Sequence, residues 1–73
     1  MTDFQNAQLL HLHLSGDFRY RNNQGNKAPR AAWRKMLDAL LDRGFINVRC
    51  QVTPQGKAYL DANHANIRLS MLD

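Results

Sequence analysis

Glutamate is absent from this chain, and all six of its acids are aspartates. Asp3, Asp17, Asp38, Asp42, Asp61 and Asp73 are dispersed near the ends of the expected elements, which speaks against the paired carboxylates of general acid–base catalysis. Cysteine is nearly missing as well. Cys50 alone permits no internal disulfide, so a reducing, cytoplasmic setting is expected. It falls in an alternating apolar row and reads as a small packed hydrophobe, because a catalytic thiol needs a polarising base and access. The four glycines, at 16, 25, 44 and 56, are isolated and make no phosphate-cradling loop. His11, His13 and His64 share no C-x-x-C or H-x-x-x-H spacing with each other or with Cys50, so no metal is expected. No apolar run approaches the roughly 20 residues of a membrane span. Met1 to Gln5 offers neither the positive leader nor the apolar stretch of a signal peptide. Together these absences exclude most enzyme classes and lead to the expectation of a non-enzymatic binder without cofactor.

What remains is short. The 73 residues fit one domain, 1–73. A chain of this size buries only roughly 60 to 65% of the surface it exposes when unfolded. Small domains commonly gain support from a disulfide, a metal or a partner chain, and with the first two not expected, a homodimer is the natural expectation.

Periodicity divides the chain. Thr2 or Asp3 can cap a first helix, with Gln5 completing a capping box from Thr2. Phe4, Ala7, Leu10 and Leu14 recur at helical spacing, with Leu9 and Leu12 widening the apolar face, up to Ser15-Gly16. Leu10 to Leu14 also alternates with His11 and His13, a strand-like pattern. Phe18-Arg19-Tyr20-Arg21 alternates apolar and cationic side chains, as a short edge strand does, with Phe18 and Tyr20 toward the core. Asn22 to Lys27 has no apolar residue and reads as loop.

Pro29 suits the first position of a second helix, where its missing N–H leaves no bond unmade. Trp33, Met36, Leu37, Leu40 and Leu41 form the clearest amphipathic pattern in the chain, and Gly44 ends it. Ile46, Val48, Cys50 and Val52 alternate with polar residues, as one strand or a very tight hairpin. Thr53-Pro54 opens a third helix bearing Ala58, Tyr59, Leu60 and Ala62, ending near Asn63. From 64 to 73, Ile67, Leu69 and Met71 alternate while Leu60, Ile67 and Met71 share a helical face. This segment reads equally as a tail or a dimerisation segment, and its apolar residues, with Leu72, admit a purely structural dimer module.

Charge is distributed unevenly. Between Phe18 and Leu37 the chain carries Arg19, Arg21, Lys27, Arg30, Arg34 and Lys35 without a single acid, whereas the rest sets four bases against six aspartates. A segment of this kind suits a polyanion, since each phosphate neutralised releases condensed counterions; it also suits an ordinary solvated face. The second helix concentrates the oddity. A helix N-terminus is already partly positive, so acids are favoured there by about 0.3 to 1 kcal/mol each. Here Lys27, Arg30, Arg34 and Lys35 cluster at that end, while Asp38 and Asp42 lie toward the other. Such an order does little for the helix itself but can meet an external anion, unless Arg34 is occupied by Asp38 at i+4.

Trp33 to Ala62, WRKMLDALLDRGFINVRCQVTPQGKAYLDA, resembles the recognition helix, wing and following helix of small bacterial and phage winged-helix DNA-binding proteins. The likeness rests on Leu37, Leu40 and Leu41, the step Arg43-Gly44-Phe45-Ile46, and the run Val52-Thr53-Pro54-Gln55-Gly56-Lys57-Ala58-Tyr59-Leu60. It implies an α+β fold, a minimal winged-helix-like domain of three helices with a small antiparallel sheet. It further implies a groove-reading helix with Arg30, Ala31, Arg34 and Lys35 toward double-stranded DNA, and Arg49 on a wing near phosphate. The chain departs from the pattern by having Arg19 to Lys27 where a further helix stands, and by its short segment between Ile46 and Val52. Arg19, Arg21 and Lys27 then supply phosphate contacts beside it. The function expected is that of a small DNA-binding regulator of a phage-like kind. The alternative is a protein-interaction module whose basic face docks on an acidic protein partner. Phe18, Tyr20 and Trp33 among these cations also match the pattern of residues that stack on unpaired bases, although core packing accounts for them more simply.

Overall fold

The computed structural model describes residues 1–73 and contains three α-helices and no strand. Helix α1 spans Asp3–Ser15, α2 Arg30–Asp42 and α3 Pro54–Asn63, followed by 3-10 turns at His64–Asn66 and Leu69–Leu72. The expected α+β winged-helix architecture with an antiparallel sheet is therefore corrected to an all-helical one. Its only β pairing consists of two isolated bridges, Arg21 to Lys27 and Ile46 to Val52.

Local chemistry accounts for each helix. Thr2 and Gln5 form the reciprocal capping box at the start of α1, each side chain bonding the other's backbone N–H. The strand-like alternation of Leu10 to Leu14 is overridden by this cap and by the burial of Ala7, Gln8, Leu9 and Leu12 within the helix. Leu14, in the last turn, is exposed. Helix α2 ends in a Schellman motif: Gly44 at φ 70° donates to the Leu41 carbonyl and Phe45 to that of Leu40. At the head of α3, Thr53 Oγ1 accepts from the Gly56 N–H at 3.1 Å and donates to the Gly44 carbonyl, tying the end of α2 to the start of α3. Gly56 is buried against the Phe45 main chain, a position without room for a Cβ.

The core draws on Leu9 and Leu12 of α1, Phe18, Met36 and Leu40 of α2, Ile46 and Leu60 of α3. Phe45 stacks on Tyr59 at 4.5 Å between ring centroids, and Tyr59 donates its hydroxyl proton to Asn6 Oδ1, joining α3 to α1. The last residues dock on α1, with Leu72 buried and the Asp73 carbonyl accepting from the Asn23 N–H. Leu69 and Met71 are exposed.

Both expected strands fail for identifiable reasons. Phe18 to Arg21 forms no ladder, because the partner there is a side chain: Gln8 satisfies both the N–H and the carbonyl of Arg19. Phe18 is buried as expected, whereas Tyr20 is 58% exposed. In Ile46 to Val52 the chain reverses at once. Asn47 Oδ1 accepts from the N–H groups of Arg49 and Gln51, and Cys50 takes φ 58°. This is the tight turn, not the strand, and it shows in the side chains: Ile46 is buried, Val48 is 91% exposed and Cys50 is exposed rather than packed. No room remains for a wing. No helix is long and apolar enough to cross a membrane.

Candidate nucleic-acid interface

Pro29 precedes the first turn of α2 and cannot cap it with a side-chain acceptor, and no acid occupies that turn. The partial positive charge of the helix end therefore has neither a capping side chain nor a first-turn acid; Asp73, which pairs with Arg19, lines a depression with Lys27 and Pro29 but makes no ion pair with Lys27 or Arg30. Lys27, immediately before, and Arg30, in the first turn, are exposed and have no carboxylate within ion-pair distance. Arg34 lies 3.7 Å from Asp38, with the two side chains 80% and 61% exposed. Such a pair contributes a few tenths of a kcal/mol at most, so Arg34 remains available to a stronger partner.

Helical geometry sorts the cations further. At about 100° per residue, Arg34 follows Arg30 about 40° round the helix, whereas Lys35 stands about 140° from Arg30. Arg30 and Arg34 therefore share one face of α2 and Lys35 belongs to another, while Lys27, ahead of the helix, lines a depression with Arg30. Arg49 is exposed on the turn beyond the far end of α2, a helix about 20 Å long. Arg19 is the most committed of the expected contacts. Its guanidinium donates to the Arg21 carbonyl at 2.7 Å and to Asn23 Oδ1 at 2.9 Å, and pairs with Asp73 at 3.4 Å. It fastens the loop to the C-terminus. Arg21 donates to the Gly25 carbonyl at 2.7 Å while remaining exposed.

Two residues outside the expected site join it. Trp33 is half-buried, held edge-on by buried Phe18 at 5.6 Å and covered in part by Tyr20 at 5.3 Å with the rings tilted by 32°. A surface depression of about 370 Å³ is lined by Tyr20, Lys27, Ala28, Arg30 and Trp33. A second, of about 600 Å³, shares Arg30 and Trp33 and adds Ala31, Arg34 and Leu37. The cations thus surround an aromatic pair. The sequence signal for this was present in the interleaving of Tyr20 and Trp33 with basic residues, but burial was the simpler reading for both. No three groups among His, Cys, Asp and Glu come close enough to hold a metal ion, and His11 Nδ1 is bonded to the Asp17 carbonyl at 2.6 Å.

Comparison with protein-family models, with curated proteins and with solved structures finds no match.

Proposed function

We propose that this chain is a non-enzymatic DNA-binding protein that meets phosphate with the N-terminal end of α2 and the cations around it. The observation that carries the reading is the exposure of Lys27 and Arg30, unpaired, beside a helix end with neither cap nor acid. Three positive sources converge there with no acid in the first turn and no ion pair to either side chain, an arrangement that an anion from outside would stabilise. Arg34 extends the same face along the helix. The concentration of charge agrees: the acid-free segment from Phe18 to Leu37 supplies all three side chains.

Binding of this kind is dominated by counterion release and so weakens steeply with salt. Fluorescence anisotropy of a labelled mixed-sequence DNA, titrated at several salt concentrations, tests it. The reading expects tight binding at low salt and a linear fall of log Kobs with log salt concentration. Absence of binding at low salt, or affinity indifferent to salt, overturns it.

A further inference from the structure

We propose that the DNA taken by this surface is single-stranded, with an unpaired base stacked in the depression bounded by Tyr20 and Trp33. The inference rests on the DNA-binding reading and names the form of the ligand. Tyr20 is the starting point. A tyrosine on a segment that also buries Phe18 is 58% exposed, and its ring leans on Trp33 instead of entering the core. Exposed aromatic area of this size, beside a half-buried indole, is an apolar surface that water covers unfavourably and that a flat ring would cover well.

The shelf is also held in place. Buried Phe18 fixes one edge of Trp33 at 5.6 Å. The backbone leading to Tyr20 is pinned by the double hydrogen bond from Gln8 to Arg19. A pre-ordered platform loses little conformational freedom when a ligand arrives.

Charge selects the occupant. Lys27 and Arg30, with Ala28, complete the wall of the 370 Å³ depression. Two cations repel a cationic guest, which an aromatic pair would otherwise attract. They favour one that combines a planar ring with a nearby anion, and a nucleotide within a strand does so at every step. A paired base in a duplex keeps its faces occupied by its neighbours, so only an unpaired one can stack here. Strand binders without sequence preference combine the same two ingredients, a basic surface and aromatic faces.

Trp33 is the chain's only tryptophan and therefore its own reporter. Its emission is followed while the full chain is titrated with a short oligothymidylate, with a duplex of equal strand length, and with heparin as a base-free polyanion. The expected result is quenching by oligothymidylate, tighter binding of it than of duplex at equal phosphate concentration, and heparin binding without comparable quenching. Tyr20→Leu keeps an apolar contact on Trp33 but removes the flat face. It should lower the affinity for oligothymidylate about fivefold or more and leave heparin affinity unchanged, whereas Tyr20→Phe should behave as the parent. Equal affinity for single strand and duplex, with Tyr20→Leu silent, overturns the stacking proposal while leaving the phosphate reading intact. Failure of oligothymidylate and duplex alike to bind at low salt overturns both.

Discussion

The side-chain amide of Gln8 replaces a β-strand for Arg19: Oε1 accepts from the Arg19 N–H at 2.8 Å, and Nε2 donates to the Arg19 carbonyl at 2.7 Å. Gln8 is 1% exposed, and its buried amide finds both a donor and an acceptor in the backbone of one residue, Arg19. The two bonds fix the backbone at Arg19, and on either side of it stand Phe18, which enters the core, and Tyr20, which does not. One buried polar residue of α1 thereby positions an aromatic ring of the candidate interface.

Removing that amide should be costly. Gln8→Ala leaves the N–H and carbonyl of Arg19 without their partner and opens a void at a fully buried position. A loss of about 2 kcal/mol or more is expected, against a total of roughly 4 to 11 kcal/mol for a domain of this length. Urea denaturation reads the loss, and hydrogen exchange should show the Arg19 amide opening faster. An unchanged midpoint would mean that the pairing contributes nothing.

Gly56 offers a second stability test with two opposing terms. In an isolated helix, alanine is favoured over glycine by about 1 kcal/mol. Here the added Cβ would run into the Phe45 carbonyl, which is main chain and cannot swing aside. Overpacking against backbone costs about 1 to 3 kcal/mol, so Gly56→Ala should destabilise despite its better helix propensity. A higher thermal midpoint for the variant would contradict the close approach of α3 to this turn.

The cations should separate into classes. Arg30→Ala and Lys27→Ala each should weaken DNA binding and reduce the magnitude of the salt slope by about 0.7 to 0.9, the contribution of one phosphate contact. Lys35→Ala and Arg49→Ala should change affinity far less, since the one lies about 140° round the helix from Arg30 and the other beyond its opposite end. Equal effects from all four variants would indicate diffuse attraction by net charge and not a localised surface.

Arg19→Ala should behave differently again. Its guanidinium is bound to the Arg21 carbonyl, Asn23 and Asp73, so the variant should loosen the loop and the C-terminal turn. A lower denaturation midpoint with the salt slope unaltered is the expected outcome, read from chemical denaturation and binding titrations on the same protein.

Much of the helical framework was legible in the residues. Thr2 with Gln5, Pro29 with Gly44, and Thr53 with Pro54 mark helix ends through chemistry local to a few positions, and the helices lie within a residue or two of where those signals put them. The strands were not legible, because alternation has no unique meaning. Ile46, Val48, Cys50 and Val52 repeat every second residue, yet the Asn47 side chain turns the backbone between them and sends Val48 into solvent. Around Phe18 to Arg21 the group that pins the backbone, Gln8, lies 11 residues from Arg19 and carries no local mark. For the same reason Arg19 looked like a surface cation: Asp73, its counter-charge, is at the other end of the chain. The closeness of Arg30 and Arg34 is legible because a helix imposes it; the contact between the Tyr20 and Trp33 rings is not.

Chemical-shift mapping tests the central claim most directly, by recording the amide spectrum of the labelled chain as DNA is added at low salt. Perturbations should concentrate on Tyr20, on Lys27 to Leu37 and on the Trp33 indole N–H, and leave the Asn47 to Gln51 turn and the C-terminal 3-10 turns nearly still. Shifts confined to those other regions, or spread evenly over every exposed cation, would contradict the assignment of the α2 N-terminus as the binding surface.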